Sequence, residues 1–248
     1  MAKEGIKDTY SENIDERFDY EIEVYDEWYR KGEKIERFFF YHNIKKEKCF
    51  IKSIINKFNI TRGSSLIDIG CGNGIYSNIF HKYGMEGMGV DISKSAIEFC
   101  NEKYRGKIKF KCADAFSLDY ENEFDYAFCS YFTFFNAFDT PRQCSQYANN
   151  IMKYVKKGGI LFFIWYSDLT AVRLPHDRFN IMNFTMNQLE TIFGIYRVES
   201  YAIDSWGRLP CILGEYSYNK WVTRLSCAYF QMLESSWRRV RIILVVHK

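Results

Sequence analysis

Hydrophobic positions near the N-terminus recur every three or four residues, which is typical of helices with one apolar face. The first such pattern predicts an acidic helix whose apolar face carries Ile14, Phe18, Ile22, Tyr25 and Tyr29. A second pattern, from Phe50 to Phe58, predicts another helix with lysines on its opposite side. We interpret residues 1–62 as an N-terminal helical cap that belongs to the same domain as the rest of the chain.

From residue 64 onward the pattern changes to short apolar, β-branched runs that alternate with helical segments. Seven strands are predicted, at 64–70, 86–92, 107–114, 123–131, 160–166, 195–203 and 241–246. This alternation indicates an α/β domain with a mainly parallel sheet and helices on both faces. We assign residues 63–248 to this domain, with insertions at about 167–184 and 204–238.

Capping residues mark several of the predicted helices. Thr140 is expected as an N-cap before Pro141, and this helix is expected to end at Gly158–Gly159. Thr185 and Gln188 form a capping-box pattern that opens a short helix. A last helix is predicted over 219–235.

Composition excludes several classes of protein. With 47% apolar and 26% charged residues and 3 Pro, the 248-residue chain is neither collagen-like nor wholly disordered. The net charge of +3 is too small to indicate a polyanionic partner, so we expect no DNA partner.

The eight cysteines contain no CxxC pair, so they predict reduced thiols rather than a metal site. The first residues contain no apolar segment of the kind found in signal peptides, and no uncharged apolar stretch approaches 18 residues. We therefore expect a cytoplasmic protein with no membrane partner. The oligomeric state stays open.

The residues that indicate chemistry lie where predicted strands end. Asp68-Ile69-Gly70-Cys71-Gly72-Asn73-Gly74 joins the first strand to a helix, and such glycines let the backbone approach a ligand at the helix N-terminus. Asp91 ends the second strand, where a carboxylate can accept both hydroxyls of a ribose. Asp114 ends the third, and aromatic residues follow the fourth. Open α/β sheets bind ligands at these carboxyl ends.

Between about residues 64 and 166, these features resemble the class I S-adenosylmethionine-dependent methyltransferases. The last two predicted strands agree with the antiparallel ending of that family. The resemblance implies a seven-stranded, mainly parallel Rossmann-like sheet with an antiparallel last strand. It also implies S-adenosyl-L-methionine as the cofactor and S-adenosyl-L-homocysteine as the product.

The resemblance also implies which residues contact the cofactor. The first loop would hold the methionine part, Asp91 the ribose, Asp114 the adenine, and the backbone after strand four the methionyl amino group. The implied cofactor-binding residues are Asp68, Gly70, Cys71, Gly72, Gly74, Asp91, Ile92, Asp114, Ala115, Cys129 and Ser130. A nicotinamide-dependent Rossmann enzyme is the rival interpretation, and the acid at Asp68 and the C-terminal strand pair favour the methyltransferase.

The segment after strand four, Cys129-Ser130-Tyr131-Phe132, lacks the Asn or Asp with two prolines that the amino-methylating DNA enzymes of this family carry. A nucleic-acid base is therefore disfavoured as the acceptor. Methyl transfer from a sulfonium is an in-line displacement, which depends on positioning and exclusion of water and requires no metal.

The acceptor side is predicted from residues in the cap and after strand five. Tyr25 and Tyr29 resemble the aromatic segment that covers the cofactor in small-molecule members of the family. We expect His176 to act as a general base, oriented by Asp177 or Asp168, because histidine titrates near neutral pH. The predicted substrate-binding residues are Tyr25, Tyr29, Tyr131, Tyr166 and Arg173.

The sequence thus favours a methyltransferase that acts on an oxygen or nitrogen of a small metabolite. Two alternatives stay open. Acids dominate from Asp8 to Glu27 and bases from Arg30 to Lys57, which is also compatible with a cofactor-binding interaction subunit that is inactive alone. Methylation of RNA or protein is the other alternative.

Overall fold

The computed structural model describes residues 14–30, 44–132, 134–135, 138, 140–167, 172–175, 180–204, 208–232 and 240–248. The helices within these ranges are α1 (Ile14–Arg30), α2 (Ile44–Lys57), α3 (Ile75–Lys82), α4 (Lys94–Tyr104), α5 (Pro141–Tyr154), α6 (Met186–Ile192), α7 (Arg208–Leu213) and α8 (Lys220–Met232). The strands are β1 (Ser65–Ile69), β2 (Glu86–Asp91), β3 (Lys109–Cys112), β4 (Phe124–Ser130), β5 (Val155–Ser167), β6 (Val172–Pro175), β7 (Asn180–Asn183), β8 (Arg197–Asp204) and β9 (Val240–His247).

Seven strands form one sheet in the order β3-β2-β1-β4-β5-β9-β8. Neighbouring strands from β3 to β5 run parallel, and β9 lies antiparallel between β5 and β8. The prediction of a seven-stranded, mainly parallel sheet with an antiparallel last strand is confirmed. The insertion of β9 differs from the 3-2-1-4-5-6 order of dinucleotide-binding sheets.

The central strands are buried because helices cover both faces of the sheet. Residues 161–165 of β5 and 242–246 of β9 are apolar without alternation and are buried, as expected for strands covered on both sides. Helices α2 and α3 pack on one face through residues such as Phe50 and Phe80, and α5 and α6 pack on the other through residues such as Ile151 and Leu189.

Some predicted boundaries are wrong. Helix α5 begins as expected after the N-cap Thr140, but it ends at Tyr154 and not at Gly158–Gly159. Val155 already pairs with Phe124, and the register with β4 then shifts before Tyr126, so the glycines lie in an irregular stretch of β5. Lys156 donates from Nζ to Asp125 Oδ1 at 2.7 Å in this stretch.

Strand β3 is also shorter than predicted, so Asp114 lies two residues beyond it. Three elements were not predicted: the β6–β7 hairpin, helix α7 and a 3₁₀ helix at Gly214–Ser217. The two strands of the hairpin and the two helices are each four to six residues long, too short for a periodic pattern to stand out. Helix α8 is described over Lys220–Met232, within the predicted 219–235, and residues 233–235 lie outside the described residues. The capping box at Thr185 and Gln188 is confirmed.

The N-terminal helices pack against different parts of the sheet domain. Helix α1 contacts α4, and α2 contacts α3, α7 and the 3₁₀ helix. The assignment of residues 1–62 to a cap within the same domain stays a prediction. No helix in the described ranges has the length and apolar character needed to cross a membrane.

A buried ion pair joins α2 to β9. Arg241 Nη2 and Nη1 donate to Glu47 Oε1 and Oε2 at 2.9 and 3.2 Å, and both side chains are almost fully buried. The hydroxyl of Tyr76, in the first turn of α3, donates to Glu47 Oε2 at 2.8 Å. The guanidinium carbon of Arg241 lies 4.5 Å from the ring centre of Phe50. Two charges removed from water are thus compensated by each other and by a third hydrogen bond.

We expect Arg241→Met to lower the free energy of unfolding by about 3 to 5 kcal/mol, because Glu47 would stay buried without its countercharge. Urea denaturation measures this change. Replacing both partners, as Glu47→Leu with Arg241→Met, should recover most of the loss. The exposed pair Lys94–Glu98 provides the control, since Lys94→Met should cost less than about 1 kcal/mol. A similarly small loss in Arg241→Met would contradict a structural role for the buried pair.

Candidate active site

The registers of β1, β2 and β4 bring three predicted site residues to one level at the carboxyl edge of the sheet. Ile69 pairs with Val90 of β2 and with Cys129 of β4. Gly70, Asp91 and Ser130 are the next residues of the three chains. The structure therefore brings the predicted loop, the predicted ribose acid and the end of β4 together.

Two glycines allow the loop after β1 to turn where it does. Gly70 and Gly72 have φ angles of 66° and 51°, in the left-handed region that favours glycine. A Cβ atom at Gly70 would lie 2.8 Å from the ring of Phe132, and one at Gly72 would lie 2.6 Å from the hydroxyl of Tyr29. Aromatic side chains from α1 and from the segment after β4 thus lie directly against the loop.

The carboxylate of Asp91 connects this loop to helix α4. Its Oδ2 accepts from the backbone N–H of Gly72 at 2.8 Å, and its Oδ1 accepts from the N–H of Ser93 at 2.9 Å. Ser93 is the N-cap of α4 and accepts from the N–H of Ala96. Asp91 therefore fixes the loop relative to the helix that follows β2.

Helix α1 is attached to the same place by Asp26. Its Oδ1 accepts from Ser93 Oγ at 2.8 Å and from the N–H of Ser95 at 2.9 Å, and its Oδ2 accepts from Ser95 Oγ at 3.1 Å. A carboxylate at a helix N-terminus is favoured by the free N–H groups and the helix dipole. Sequence analysis missed Asp26 because its partners lie 67 to 69 residues further along the chain.

The charge of the site is unbalanced. Asp68 is 1% exposed, accepts from Ser77 Oγ of α3 at 2.5 Å, and has its pKa raised to about 7 by burial. Burial also raises the pKa of Asp91, although the N–H groups of Ser93 and Gly72 oppose the shift. The charged groups that act on these two are again carboxylates, Asp91 on Asp68 and Asp26 on Asp91. A cationic ligand would relieve this repulsion.

Two polar atoms at the site are buried with no hydrogen-bond partner among the described residues. They are Asn73 Nδ2, in the glycine loop, and Ser130 Oγ, at the end of β4. Buried polar groups in proteins are nearly always bonded. Both atoms are therefore available to a polar ligand at this edge.

The predicted cysteines have packing roles. Cys71 and Cys100 lie together under the loop, and Cys100 Sγ donates to the carbonyl of Gly72 at 3.2 Å. Burial raises the pKa of Cys71 well above its usual value, so the thiol stays neutral. Cys129 is fully buried in the core, so its backbone is what a ligand at the edge could contact.

The predicted adenine side lies beyond β2 and β3. Ile92 and Asp114 are exposed there, and Asp114 Oδ1 accepts from the N–H of Phe116 at 2.9 Å. Ala115 is buried, and its carbonyl accepts from the hydroxyl of Tyr154 at 2.9 Å. Asp114 thus keeps its second carboxylate oxygen outside this turn contact.

The structure describes only some of the residues that were predicted to bind the acceptor. Tyr131 follows β4 with a φ of 57°, and its ring centre lies 6.0 Å from the guanidinium carbon of Arg241. The backbone of Tyr166 pairs with Arg241 near the carboxyl end of β5. Tyr25 is half-buried on α1, and Arg173 lies in β6, paired with Met182. His176 lies outside the described residues, as do Asp168 and Asp177.

Three aromatic rings form a cluster beside the loop, and the sequence pattern indicated only part of it. The ring centres of Phe116 and Phe134 are 4.3 Å apart, and Phe132 lies 5.6 Å from Phe116 and 5.8 Å from Phe134. The aromatic run after the fourth strand indicated two of these rings. The residues around Phe116, which follows β3, did not indicate that its ring would pack against the other two.

Known proteins share this arrangement. Residues 67–163 match the methyltransferase domain family. An uncharacterised methyltransferase of Schizosaccharomyces pombe is 29% identical over 120 residues, which are 44% of this chain and 40% of that protein. The chain thus spans well under half the length of this relative.

Solved structures agree on the fold. Magnesium protoporphyrin IX methyltransferase from Synechocystis PCC 6803 is similar with a TM-score of 0.60 at 13% identity, over 97% of this chain and 100% of the other. The cyclase SpnF is similar with a TM-score of 0.58 at 19% identity, over 82% and 81%. Residues 67–163 are thus similar to the methyltransferase domain family, and the sheet with its inserted β9 has the fold of a solved methyltransferase with bound S-adenosylmethionine.

Proposed function

We propose that this chain binds S-adenosylmethionine at the carboxyl edge of β1, β2 and β4 and transfers its methyl group to an oxygen or nitrogen of a small metabolite. The observation that carries the proposal is the glycine loop, which Asp91 fixes through Gly72 beside the buried carboxyl group of Asp68; among the described residues, the charged groups that act on Asp68 and Asp91 are again carboxyl groups. The cofactor of the family carries a positive sulfonium and a positive amino group, which suit such a site.

The other groups at this edge also fit the cofactor. Asp91 already binds Gly72 and Ser93, and a carboxylate has lone pairs for the two ribose hydroxyls besides. Ser130 Oγ and Asn73 Nδ2 supply polar contacts for the methionine part. Ile92 and Asp114 border the place proposed for the adenine.

When bound, the cofactor supplies an electrophilic methyl group on a positively charged sulfur. The residues of this chain then have two tasks. Tyr29 and Phe132, which lie against the loop, exclude water from the reacting centre. Tyr131 and the end of β5 hold the acceptor in line with the methyl group, which lowers the entropic part of the barrier.

A small acceptor is supported by the low net charge of +3 and by the Synechocystis neighbour, which is named for a small molecule. The cyclase SpnF shares the fold without being named for methyl transfer. Methyl transfer by this chain therefore has to be measured directly, with radiolabelled S-adenosylmethionine and pools of small metabolites.

We expect Asp91→Asn to weaken S-adenosylhomocysteine binding about 10- to 100-fold, because hydrogen bonds to a charged carboxylate are lost. Isothermal titration calorimetry measures the affinity. Asp125→Asn is the matched control, since Asp125 binds Ser65 and Lys156 at the opposite edge of the sheet. The proposal requires unchanged affinity in the control. Equal affinity in Asp91→Asn and the unaltered chain would place the ribose elsewhere.

We also propose His176 as the general base for a hydroxyl acceptor, which must lose a proton as it attacks. His176→Ala should lower turnover about 10²- to 10⁴-fold and leave S-adenosylhomocysteine affinity unchanged. His81→Ala, on the exposed side of α3, serves as the control histidine. An unchanged rate with a hydroxyl acceptor would exclude His176 as the base.

The two alternatives from the sequence make different predictions for the isolated chain. A cofactor-binding interaction subunit would bind S-adenosylhomocysteine and transfer no methyl group until a partner is added. An RNA or protein methyltransferase would label macromolecules in a cell extract and leave the small-metabolite fraction unlabelled.

A further inference from the structure

The polarity of helix α8 is inverted relative to a helix that packs on a core. Trp221, Leu225 and Tyr229 are 70%, 69% and 60% exposed, whereas Thr223 and Ser226 are buried. A helix on a protein surface normally turns its apolar residues inward and its polar residues to solvent. The outward face of α8 is therefore not explained by the folding of this domain.

The inward position of Thr223 has a structural explanation. Strand β8 is at the edge of the sheet and pairs there with β9 alone. Thr223 Oγ1 accepts from the N–H of Ala202 in β8 at 3.2 Å, so α8 covers the edge and satisfies its backbone. This contact does not explain the outward stripe.

The exposed apolar residues form one continuous row along α8. Its three large side chains are spaced by four residues, so they lie along one side of the helix over about 12 Å. Of the nine exposed large hydrophobic side chains among the described residues, six lie between Ile212 and Tyr229. Concentration of exposed apolar side chains in one place marks an interaction surface.

The basic residues beside the stripe indicate the kind of partner that it binds. Lys220 and Arg224 are exposed on α8, no acidic residue lies in the helix, and the guanidinium of Arg224 lies 5.4 Å from the ring of Trp221. A second copy of the chain packed face to face would bring four cations together without a countercharge. An anionic partner is favoured instead.

We propose that the outward face of α8 binds the surface of an anionic lipid bilayer. Trp221, Leu225 and Tyr229 would enter the headgroup region, where tryptophan and tyrosine rings are favoured, and Lys220 and Arg224 would contact lipid phosphates. An exposed helix face suits a lipid surface because a bilayer needs no complementary pocket. The expectation of no membrane partner was based on spanning segments, which this mode of binding does not require.

Sedimentation with sucrose-loaded vesicles tests the proposal. The unaltered chain should sediment with vesicles of phosphatidylcholine and phosphatidylglycerol and bind pure phosphatidylcholine vesicles much more weakly. Trp221→Ser with Leu225→Ser should lower partitioning at least about 10-fold. Lys220→Gln with Arg224→Gln should lower it about 10-fold on the anionic vesicles and have little effect on the neutral ones.

Ile195→Ser provides the matched control, because Ile195 is 76% exposed outside α8 and should not affect partitioning. All variants should retain the thermal stability of the unaltered chain, since the replaced side chains are exposed. Absence of binding to anionic vesicles would overturn the proposal, as would unchanged binding of the Trp221–Leu225 double variant. Light scattering that shows a dimer disrupted by Leu225→Ser would assign the face to a second copy and also overturn it.

Discussion

The carboxylate of Asp91 is the contact on which the arrangement of the site depends. It binds the N–H of Gly72 on one side and the N–H of Ser93 on the other, so the glycine loop and the start of α4 are positioned together. Asp26 then attaches α1 to the same helix start. Three segments that are far apart in the chain thus meet around two carboxylates.

A buried ion pair stabilises the packing of α2 on the sheet near the same carboxyl edge. The Glu47–Arg241 pair joins α2 to the first residues of β9, and Tyr76 connects it to the helix that follows the glycine loop. Arg241 also lies near the ring of Tyr131. Because β9 runs antiparallel, its start lies at the carboxyl edge. The antiparallel insertion therefore adds a buried cation beside Tyr131, at the end of β4.

Local sequence patterns were sufficient to predict the sheet and the loop, because their causes are local. Continuous apolar runs such as residues 161–165 indicate strands buried on both faces, and the glycines before α3 require a turn whatever surrounds them. Contacts between distant residues could not be predicted in this way. Glu47 and Arg241 are 194 residues apart, and Asp26 reaches Ser95 from another helix. The end of α5 was misplaced because a tertiary pairing, Val155 with Phe124, begins the strand before the glycines.

Calorimetric titration of the purified chain with S-adenosylhomocysteine and, separately, with NADH tests most directly whether this edge of the sheet holds the cofactor of the methyltransferase family. We expect the carboxyl groups of Asp68 and Asp91 beside the glycine loop to accommodate the adenosyl amino acid and to repel the additional phosphates of NADH. We expect saturable binding of S-adenosylhomocysteine with one site per chain and no heat of binding for NADH. Binding of NADH without S-adenosylhomocysteine would contradict the assignment of the site.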